Sequence, residues 1–173
     1  MPDLHTAKGL RDRAMLEVLY ATGIRVSELI GLTLDDCNMK LNYITCRDRS
    51  RERIIPFGSS CAQALKAYLA KGRDTLAGDA AGDFLFMNIQ GKKMTRQGFW
   101  KVLKGYAAAA GINEDITPHT LRHSFAAHML HNGADLRSLS EMLGHSDIST
   151  TQMYANIELA HMRDVYNKAH PRK

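Results

Sequence analysis

The sequence predicts a mainly helical domain with one small antiparallel β-sheet, an α+β fold. Apolar residues recur at helical spacing over most of the chain, and every segment from Pro118 onward has this period. Two β-prone runs, at 43–46 and 53–57, bracket a strongly charged turn and predict a hairpin. At 173 residues and 45% apolar content, the chain can fold as one well-packed domain but not as two large ones.

Helix and strand signals alternate in the first half of the chain. Leu10 and Leu19 belong to one apolar helical stripe, which Gly23 ends because glycine readily adopts the left-handed conformation of a helix C-cap. A short helix is expected from about 26 to 32, and after the hairpin a second stripe predicts a helix over 59–71.

The second half is expected to be helical after one loop. Residues 78–83 form a loop rich in glycine and aspartate, and 84–86 is a candidate third strand. Thr95 is a hydroxyl N-cap, which places the next helix from there through Ala110. The remaining predicted helices, separated by Gly133, Gly144 and a short turn, are 119–131, 135–143, 149–156 and 158–168.

Composition argues against several classes of protein. No run reaches the ~20 apolar residues that a membrane span needs, and no secretory signal opens the chain, so a soluble cytoplasmic protein is expected. The three cysteines lack C-x-x-C spacing, which favours reduced thiols over disulfides or a zinc site.

Positive charge is concentrated in two places. The net charge is +5, and residues 47–53 alone carry four arginines in seven positions. The second cluster comprises Lys92, Lys93, Arg96, Lys101 and Lys104. Each cluster by itself fits an ordinary solvated face, but beside a phosphate-binding motif such clusters indicate contacts with a nucleic-acid backbone. The candidate DNA-binding residues are Arg47, Arg49, Arg51, Lys92, Lys93 and Arg96.

A phosphate-binding motif begins at Thr117. Thr117 and Pro118 are a strong helix start, a hydroxyl N-cap followed by proline at the first helical position. His119 and Arg122 then share one face of the first turn, where free backbone N–H groups favour an anion. Arginine can bind a phosphate through two parallel hydrogen bonds, and histidine can add another. The alternative is a surface helix that carries both residues by chance.

Three further residues complete this set. Arg25 follows the Gly23 helix stop, and Glu28 is placed to orient its guanidinium. His145 lies on the turn after the helix at 135–143, and Tyr154 follows nine residues later. A tyrosine at helical spacing is usually a half-buried core residue. The interpretation of Tyr154 as a functional residue therefore depends on the motifs around it. Two guanidiniums, two imidazoles and a phenol suit the stabilisation of a pentavalent phosphate while the phenol attacks it.

Four motifs, in this order, resemble those of the tyrosine recombinases of the phage integrase family, most closely the Xer-type enzymes of bacteria. They are A-T-G-I-R-V-S-E-L-I-G-L at 21–32, T-P-H-T-L-R-H at 117–123, L-G-H at 143–145 and T-T-Q-M-Y-A at 150–155. The resemblance covers nearly the whole chain and implies the catalytic-domain fold of that family over residues 1–173.

The resemblance also implies roles for the site residues. Those that would hold and polarise the scissile phosphate of DNA are Arg25, His119, Arg122 and His145. Supporting residues are Glu28 and His123. Tyr154 would attack the phosphate, form a 3′-phosphotyrosyl bond and expel a 5′-hydroxyl, without metal, ATP or another cofactor.

The implied partners are a double-stranded DNA recombination site and other recombinase subunits, in a tetramer on DNA with exchange of the C-terminal helix, and no membrane. Family members carry an N-terminal core-binding domain that clamps DNA, which is expected to be absent from this chain.

The family's hairpin lysine, the general acid for the leaving oxygen, corresponds here to Asp48, and no lysine occurs between Lys40 and Lys66. Because arginine gives up a proton poorly, either another donor acts or strand cleavage is impaired.

Two alternatives remain open. The helices around Gly144 also resemble a helix-turn-helix, which a DNA-binding module without catalysis would carry. The second alternative is an integrase of a phage or conjugative element. Such enzymes share the same catalytic residues, so the chemistry would be the same and only the biological role would differ. A type IB topoisomerase fits the compact segment around Arg25 less well.

Overall fold

The computed structural model describes residues 1–47, 52–78 and 82–144. In these ranges seven α-helices accompany one three-stranded sheet, so the predicted α+β fold is confirmed. No helix in this part of the chain is long and apolar enough to cross a membrane. The elements are α1 (Ala7–Thr22), α2 (Val26–Leu29), β1 (Cys37–Asn38), β2 (Tyr43–Arg47), β3 (Glu52–Pro56), α3 (Ser59–Lys71), α4 (Arg73–Ala77), α5 (Arg96–Ala109), α6 (Pro118–His131) and α7 (Leu136–Leu143).

Helix α1 contacts α3, α4 and α6 and supplies much of the apolar core. The Thr6 hydroxyl accepts a hydrogen bond from the Gly9 amide at 3.0 Å and begins the helix. Gly23 ends it in the left-handed conformation, with φ of 61°. No side chain fits there without rearrangement, because a Cβ on Gly23 would lie 2.3 Å from Phe125 Cδ1. This close approach brings the residues that follow Gly23 next to α6.

The sheet is antiparallel, with the strand order β1–β2–β3. Strands β2 and β3 form the predicted hairpin, in register from Tyr43 opposite Pro56 to Arg47 opposite Glu52. The centre of the charged turn, 48–51, lies outside the described residues. Arg47 and Glu52 form the last described pair of this ladder, next to the charged turn in the sequence.

The prediction of a third strand at 84–86 is wrong. The Leu85 amide donates to the Leu32 carbonyl at 2.8 Å, whereas the Phe86 carbonyl accepts from the Met94 amide at 3.2 Å. Because these backbone bonds go to two separate segments, they do not build a continuous ladder. The third strand of the sheet is β1, which pairs with β2.

Most predicted helix bounds agree with the structure. Helices α3, α5, α6 and α7 begin and end within one residue of their predicted positions. Helix α2 ends at Leu29, before the expected position 32, and α4 is too short to show a helical period in the sequence. The predicted helices at 149–156 and 158–168 lie outside the described residues.

A second, smaller apolar cluster holds α7 against α6. Its buried members include Phe125 of α6 and Leu139 and Leu143 of α7. The Asp135 carboxylate caps α7 by accepting from the Ser138 hydroxyl at 2.6 Å and from the Ser138 amide at 2.9 Å, and these bonds lower the pKa of Asp135. The C-terminal turn of α7 lies close to the end of α1, since a Cβ on Gly23 would be 3.0 Å from Leu143 Cδ2.

Helix α5 is fixed by a polar contact as well as by its apolar face. The Thr95 hydroxyl caps the helix, and the Tyr106 hydroxyl donates to the buried Asp12 carboxylate at 2.9 Å. Burial and this hydrogen bond raise the pKa of Tyr106 to about 12. Helix α5, whose first turns carry Arg96 and Trp100, is thus joined to α1 through its C-terminal half.

Candidate active site

One cleft brings together residues from three elements that are distant in the sequence. The cleft encloses about 270 Å³ and is lined by Arg25, His119 and Arg122, three of the five residues predicted to be catalytic. Arg96 and Trp100 of α5 also line it. Three arginines in one cleft create a positive potential that suits an anionic ligand.

Arg122 is buried, with 6% of its surface exposed. Its Nη1 donates to the Gly23 carbonyl at 2.6 Å, and its Nη2 donates to the Leu143 carbonyl at 2.7 Å. Gly23 caps the C-terminus of α1 and Leu143 is the last residue of α7, so the guanidinium lies at two helix C-termini. The negative ends of both helix dipoles offset the cost of burying its charge.

Arg25 is the N-cap of the short helix α2 and remains partly exposed. Its backbone N–H donates to Glu28 Oε2 at 2.7 Å, and its Nη1 lies 3.5 Å from Glu28 Oε1. Its Nη2 donates to the Gly144 carbonyl at 3.1 Å. Glu28 and the C-terminal end of α7 therefore hold the Arg25 side chain from two directions.

Three guanidiniums converge on the C-terminal end of α7. The last carbonyls of a helix have no partner within the helix and carry the negative end of its dipole. The donor–acceptor pairs are Arg53 to Met142 at 2.9 Å, Arg122 to Leu143 at 2.7 Å and Arg25 to Gly144 at 3.1 Å. Three consecutive carbonyls thus each accept from a different arginine, and the end of α7 sets the spacing between these side chains.

Arg53 belongs to this site, although no sequence motif singled it out as functional. Its Nη2 donates to Glu28 Oε1 at 2.8 Å, and the two side chains are only 13% and 10% exposed. On β3, Arg53 shares a face with the buried Ile55, whereas Ile54 between them is 60% exposed. The available signal was this alternation, which places an arginine at an inward position of a strand.

The first turn of α6 presents His119 to the cleft. Thr117 and Thr120 cap the helix reciprocally, with the Thr117 hydroxyl accepting from the Thr120 amide at 3.2 Å and the Thr120 hydroxyl accepting from the Thr117 amide at 3.1 Å. His119 is exposed at the rim of the cleft, and His123, one turn later, is also exposed. Both imidazoles are accessible to a large ligand.

A second cleft, of about 450 Å³, continues the site toward the hairpin. Arg25 lines both clefts, and Arg47 lines the second. Arg47 is held by ion pairs with Asp36 and with Glu52, the latter at 3.0 Å between Nε and Oε2. The turn end of the hairpin, at Arg47, is therefore contiguous with the predicted phosphate site.

The other candidate DNA-binding residues lie in different places. Arg96 lines the first cleft, whereas Lys92 and Lys93 are exposed and line neither cleft. The Lys93 ammonium instead lies 4.4 Å from the centroid of the Phe84 ring. The predicted site residues outside the described ranges are Arg49, Arg51, His145 and Tyr154.

This arrangement can bind a phosphate and stabilise negative charge that develops on it. Guanidiniums pair with two phosphate oxygens at once, and groups already fixed in place stabilise a transition state without reorganising. Within residues 1–47, 52–78 and 82–144, no group of three His, Cys, Asp or Glu side chains is arranged to hold a metal ion.

The chain matches a known protein family in sequence. The sequence model of the phage integrase family matches residues 2–161. Tyrosine recombinase XerD of Halalkalibacterium halodurans is 54% identical over 164 residues, which cover 94% of this chain and 55% of that protein. The chain thus spans about half the length of this curated relative.

Two solved structures share the fold. The XerA recombinase superposes with a TM-score of 0.82 at 32% identity, over 98% of this chain and 62% of that one. The XerH site-specific recombinase, solved in a pre-cleavage complex with its difH substrate, gives a TM-score of 0.75 at 25% identity, over 90% of this chain and 45% of that one. The expected tyrosine recombinase catalytic-domain fold is confirmed.

Proposed function

Since the chain belongs to the phage integrase family of tyrosine recombinases, we propose that it is the catalytic part of a site-specific DNA recombinase of the Xer type. The observation that carries this proposal is the cleft in which Arg25 and Arg122 are held beside His119. Two guanidiniums and an imidazole can bind the non-bridging oxygens of one phosphodiester.

In the proposed reaction, the Tyr154 oxygen attacks the phosphorus of the scissile phosphodiester. A bond forms between phosphorus and the tyrosine oxygen, and the bond from phosphorus to the 5′ oxygen breaks. The tyrosine loses its proton and the departing oxygen gains one to become a 5′-hydroxyl, so atoms and protons balance. Arg25 and Arg122 stabilise the charge on the pentavalent phosphorus, and religation repeats the step in reverse with the 5′-hydroxyl of another strand.

The proposed partners are a double-stranded recombination site and further recombinase subunits. The XerH complex with its difH substrate supports DNA as the ligand of this fold. We assign residues 1–173 to the catalytic domain, and a separate core-binding domain would account for the greater length of the XerD relative. On DNA, a tetramer would exchange the segment 158–168 between subunits. The cytoplasm is the proposed location, where the cysteines, free in this structure, would stay reduced.

The proposed role is that of a Xer recombinase rather than a mobile-element integrase. The identity of 54% to a XerD protein, over 94% of the chain, supports this choice. The alternative of a DNA-binding module without catalysis predicts binding but no covalent chemistry.

A nicked suicide substrate tests the proposal. A duplex carrying a Xer recombination site is nicked close to the scissile phosphate, so that the short strand diffuses away after cleavage and religation cannot occur. A covalent protein–DNA band on a denaturing gel, removed by protease, is the expected result. DNA binding without this band would contradict the enzymatic proposal and favour a DNA-binding module.

The absent hairpin lysine predicts a slow step that depends on the leaving group. If no side chain protonates the departing 5′ oxygen, a substrate with sulfur at that bridging position should form adduct about 100-fold faster than its oxygen counterpart, since a thiolate leaves without a proton. Single-turnover rates on the two substrates measure this ratio. The matched variant is Asp48→Lys, which should speed cleavage of the oxygen substrate and shrink the ratio. Equal rates for both substrates with the unmodified chain would show that another group donates the proton.

DNA binding should weaken steeply with salt, because basic side chains displace counterions condensed on the phosphates. If about six phosphates are contacted, a plot of log affinity against log salt should have a slope of roughly −5. Replacing Arg49 and Arg51 with alanine should make the slope shallower and weaken binding to specific and unrelated duplexes about equally. Arg137→Ala, which removes an exposed arginine paired with Glu141, is the control. A salt-independent affinity would argue for a partner other than DNA.

A further inference from the structure

Arg53 joins the hairpin to the two elements that hold Arg25. Its Nη2 donates to Glu28 Oε1 of α2 at 2.8 Å, and its Nε donates to the Met142 carbonyl at the end of α7 at 2.9 Å. A side chain on Gly144 would lie 2.8 Å from the Arg53 guanidinium carbon, so the backbone at Gly144 packs directly against that group. One part-buried guanidinium on β3 thus contacts α2 and α7 together.

The distances around Glu28 show how its charge is shared. Glu28 Oε1 is 2.8 Å from Arg53 Nη2 but 3.5 Å from Arg25 Nη1. The attraction between charges grows as distance and solvent exposure fall. The Glu28 carboxylate therefore interacts more strongly with Arg53 than with Arg25. Without Arg53, the ion pair that Glu28 keeps among the described residues would be the one with Arg25, and this pair would neutralise positive charge that otherwise acts on a phosphate.

The second contact of Arg53, with the Met142 carbonyl, holds the C-terminal end of α7 in position. Its bond to Met142 lies next to the carbonyls that accept from Arg122 and Arg25, and Gly144 leads directly into His145 in the chain. A shift of the α7 end would move the acceptors of both phosphate-binding arginines together. Displacements of about 1 Å at a catalytic site can lower rates by about 100-fold.

We infer that Arg53 is a positioning residue of the recombinase reaction, which keeps the charge of Arg25 available to the scissile phosphate and fixes the end of α7. This inference rests on the proposed function. Arg53 is only 13% exposed and its guanidinium is engaged by Glu28 and Met142, so its effect should fall on the cleavage step more than on DNA binding.

The first test compares Arg53→Gln with the unmodified chain. At saturating protein, the single-turnover rate of adduct formation should fall roughly 10- to 100-fold, while the dissociation constant for DNA changes by less than about threefold. Arg53→Lys should recover only part of the rate, because a lysine ammonium is a single point charge that cannot fork between Glu28 and Met142.

The second test separates the charge effect from a merely structural one. In the double variant Glu28→Gln with Arg53→Gln, the carboxylate that would neutralise Arg25 is gone, while a glutamine can still cap α2. The double variant should therefore cleave faster than Arg53→Gln alone, by roughly threefold or more. If the double variant is no faster than Arg53→Gln, the charge-sharing role is overturned.

Arg73→Gln is the matched control. Arg73 is a buried arginine that, like Arg53, donates to backbone carbonyls, those of Gly82 at 2.5 Å and Phe84 at 2.9 Å, but it lines neither cleft. Rates are measured below the unfolding transition of every variant and corrected for the folded fraction. Arg73→Gln should then cleave like the unmodified chain. If Arg53→Gln also does so, Arg53 has no positioning role, whereas an unmodified chain that forms no adduct contradicts the proposed function itself.

Discussion

Replacing Tyr154 with phenylalanine is expected to abolish the covalent protein–DNA adduct and to leave folding and DNA binding intact. The change removes only the attacking oxygen, and no other group in the proposed mechanism can take its place. Loss of an essential nucleophile lowers turnover by on the order of 10⁴-fold or more, so no adduct should be visible on a denaturing gel. Adduct yield, melting temperature and DNA affinity are measured on the same preparation.

Tyr20→Phe is the control for this experiment. The Tyr20 hydroxyl lies 2.7 Å from Nδ1 of His128, in a pair outside both clefts. Its loss should leave the adduct yield unchanged. Normal adduct formation by Tyr154→Phe would show that another residue is the nucleophile.

Replacing Arg122 with alanine is expected to lower both stability and activity. Two buried carbonyls, of Gly23 and Leu143, would lose their charged donor, which should cost about 3 kcal/mol in the free energy of unfolding. Loss of a donor that stabilises the transition state should slow adduct formation by a further ~10²- to 10³-fold in the molecules that remain folded. Urea unfolding and single-turnover cleavage measure the two effects separately.

Two other variants define the limits of this prediction. Arg122→Lys keeps the positive charge but lacks the planar fork that spaces two donors for the two carbonyls, so its stability should lie between those of the alanine variant and the unmodified chain. Arg137→Ala removes an exposed arginine and should change stability by less than about 0.5 kcal/mol. Unchanged stability in Arg122→Ala would contradict the bridging role of this guanidinium.

The helices were predictable because their signals are local. Thr95 and Thr117 cap α5 and α6, and Gly23 and Gly144 end α1 and α7 in the left-handed conformation. Such signals depend on a few neighbouring residues and survive in the sequence. The hairpin was predictable for the same reason, since a charged turn separates two β-prone runs.

Elements that depend on tertiary pairing were not predictable. The segment 84–86 has strand-like composition, but its backbone partners lie in two distant segments. Strand β1 has two residues and α4 has five, and both are too short for a periodic pattern.

The site was predictable in its residues but not in its connections. The motifs that resemble the family pointed to Arg25, His119 and Arg122, and the structure brings all three to one cleft. The arginines donate to backbone carbonyls at the end of α7. Because every residue has a backbone carbonyl, the sequence does not indicate which ones accept these hydrogen bonds. Arg53 was not predicted as a site residue because its role depends on contacts with Glu28 and Met142, which are 25 and 89 residues away in the sequence.

The most direct test of the account is the identification of the residue that becomes attached to DNA. Adduct from the suicide substrate is digested with nuclease and trypsin, and the modified peptide is sequenced by mass spectrometry. The account predicts a nucleotide joined through its 3′ phosphate to the tryptic peptide 138–163, whose only tyrosine is Tyr154. Attachment to another peptide, or through a 5′ phosphate, would contradict it.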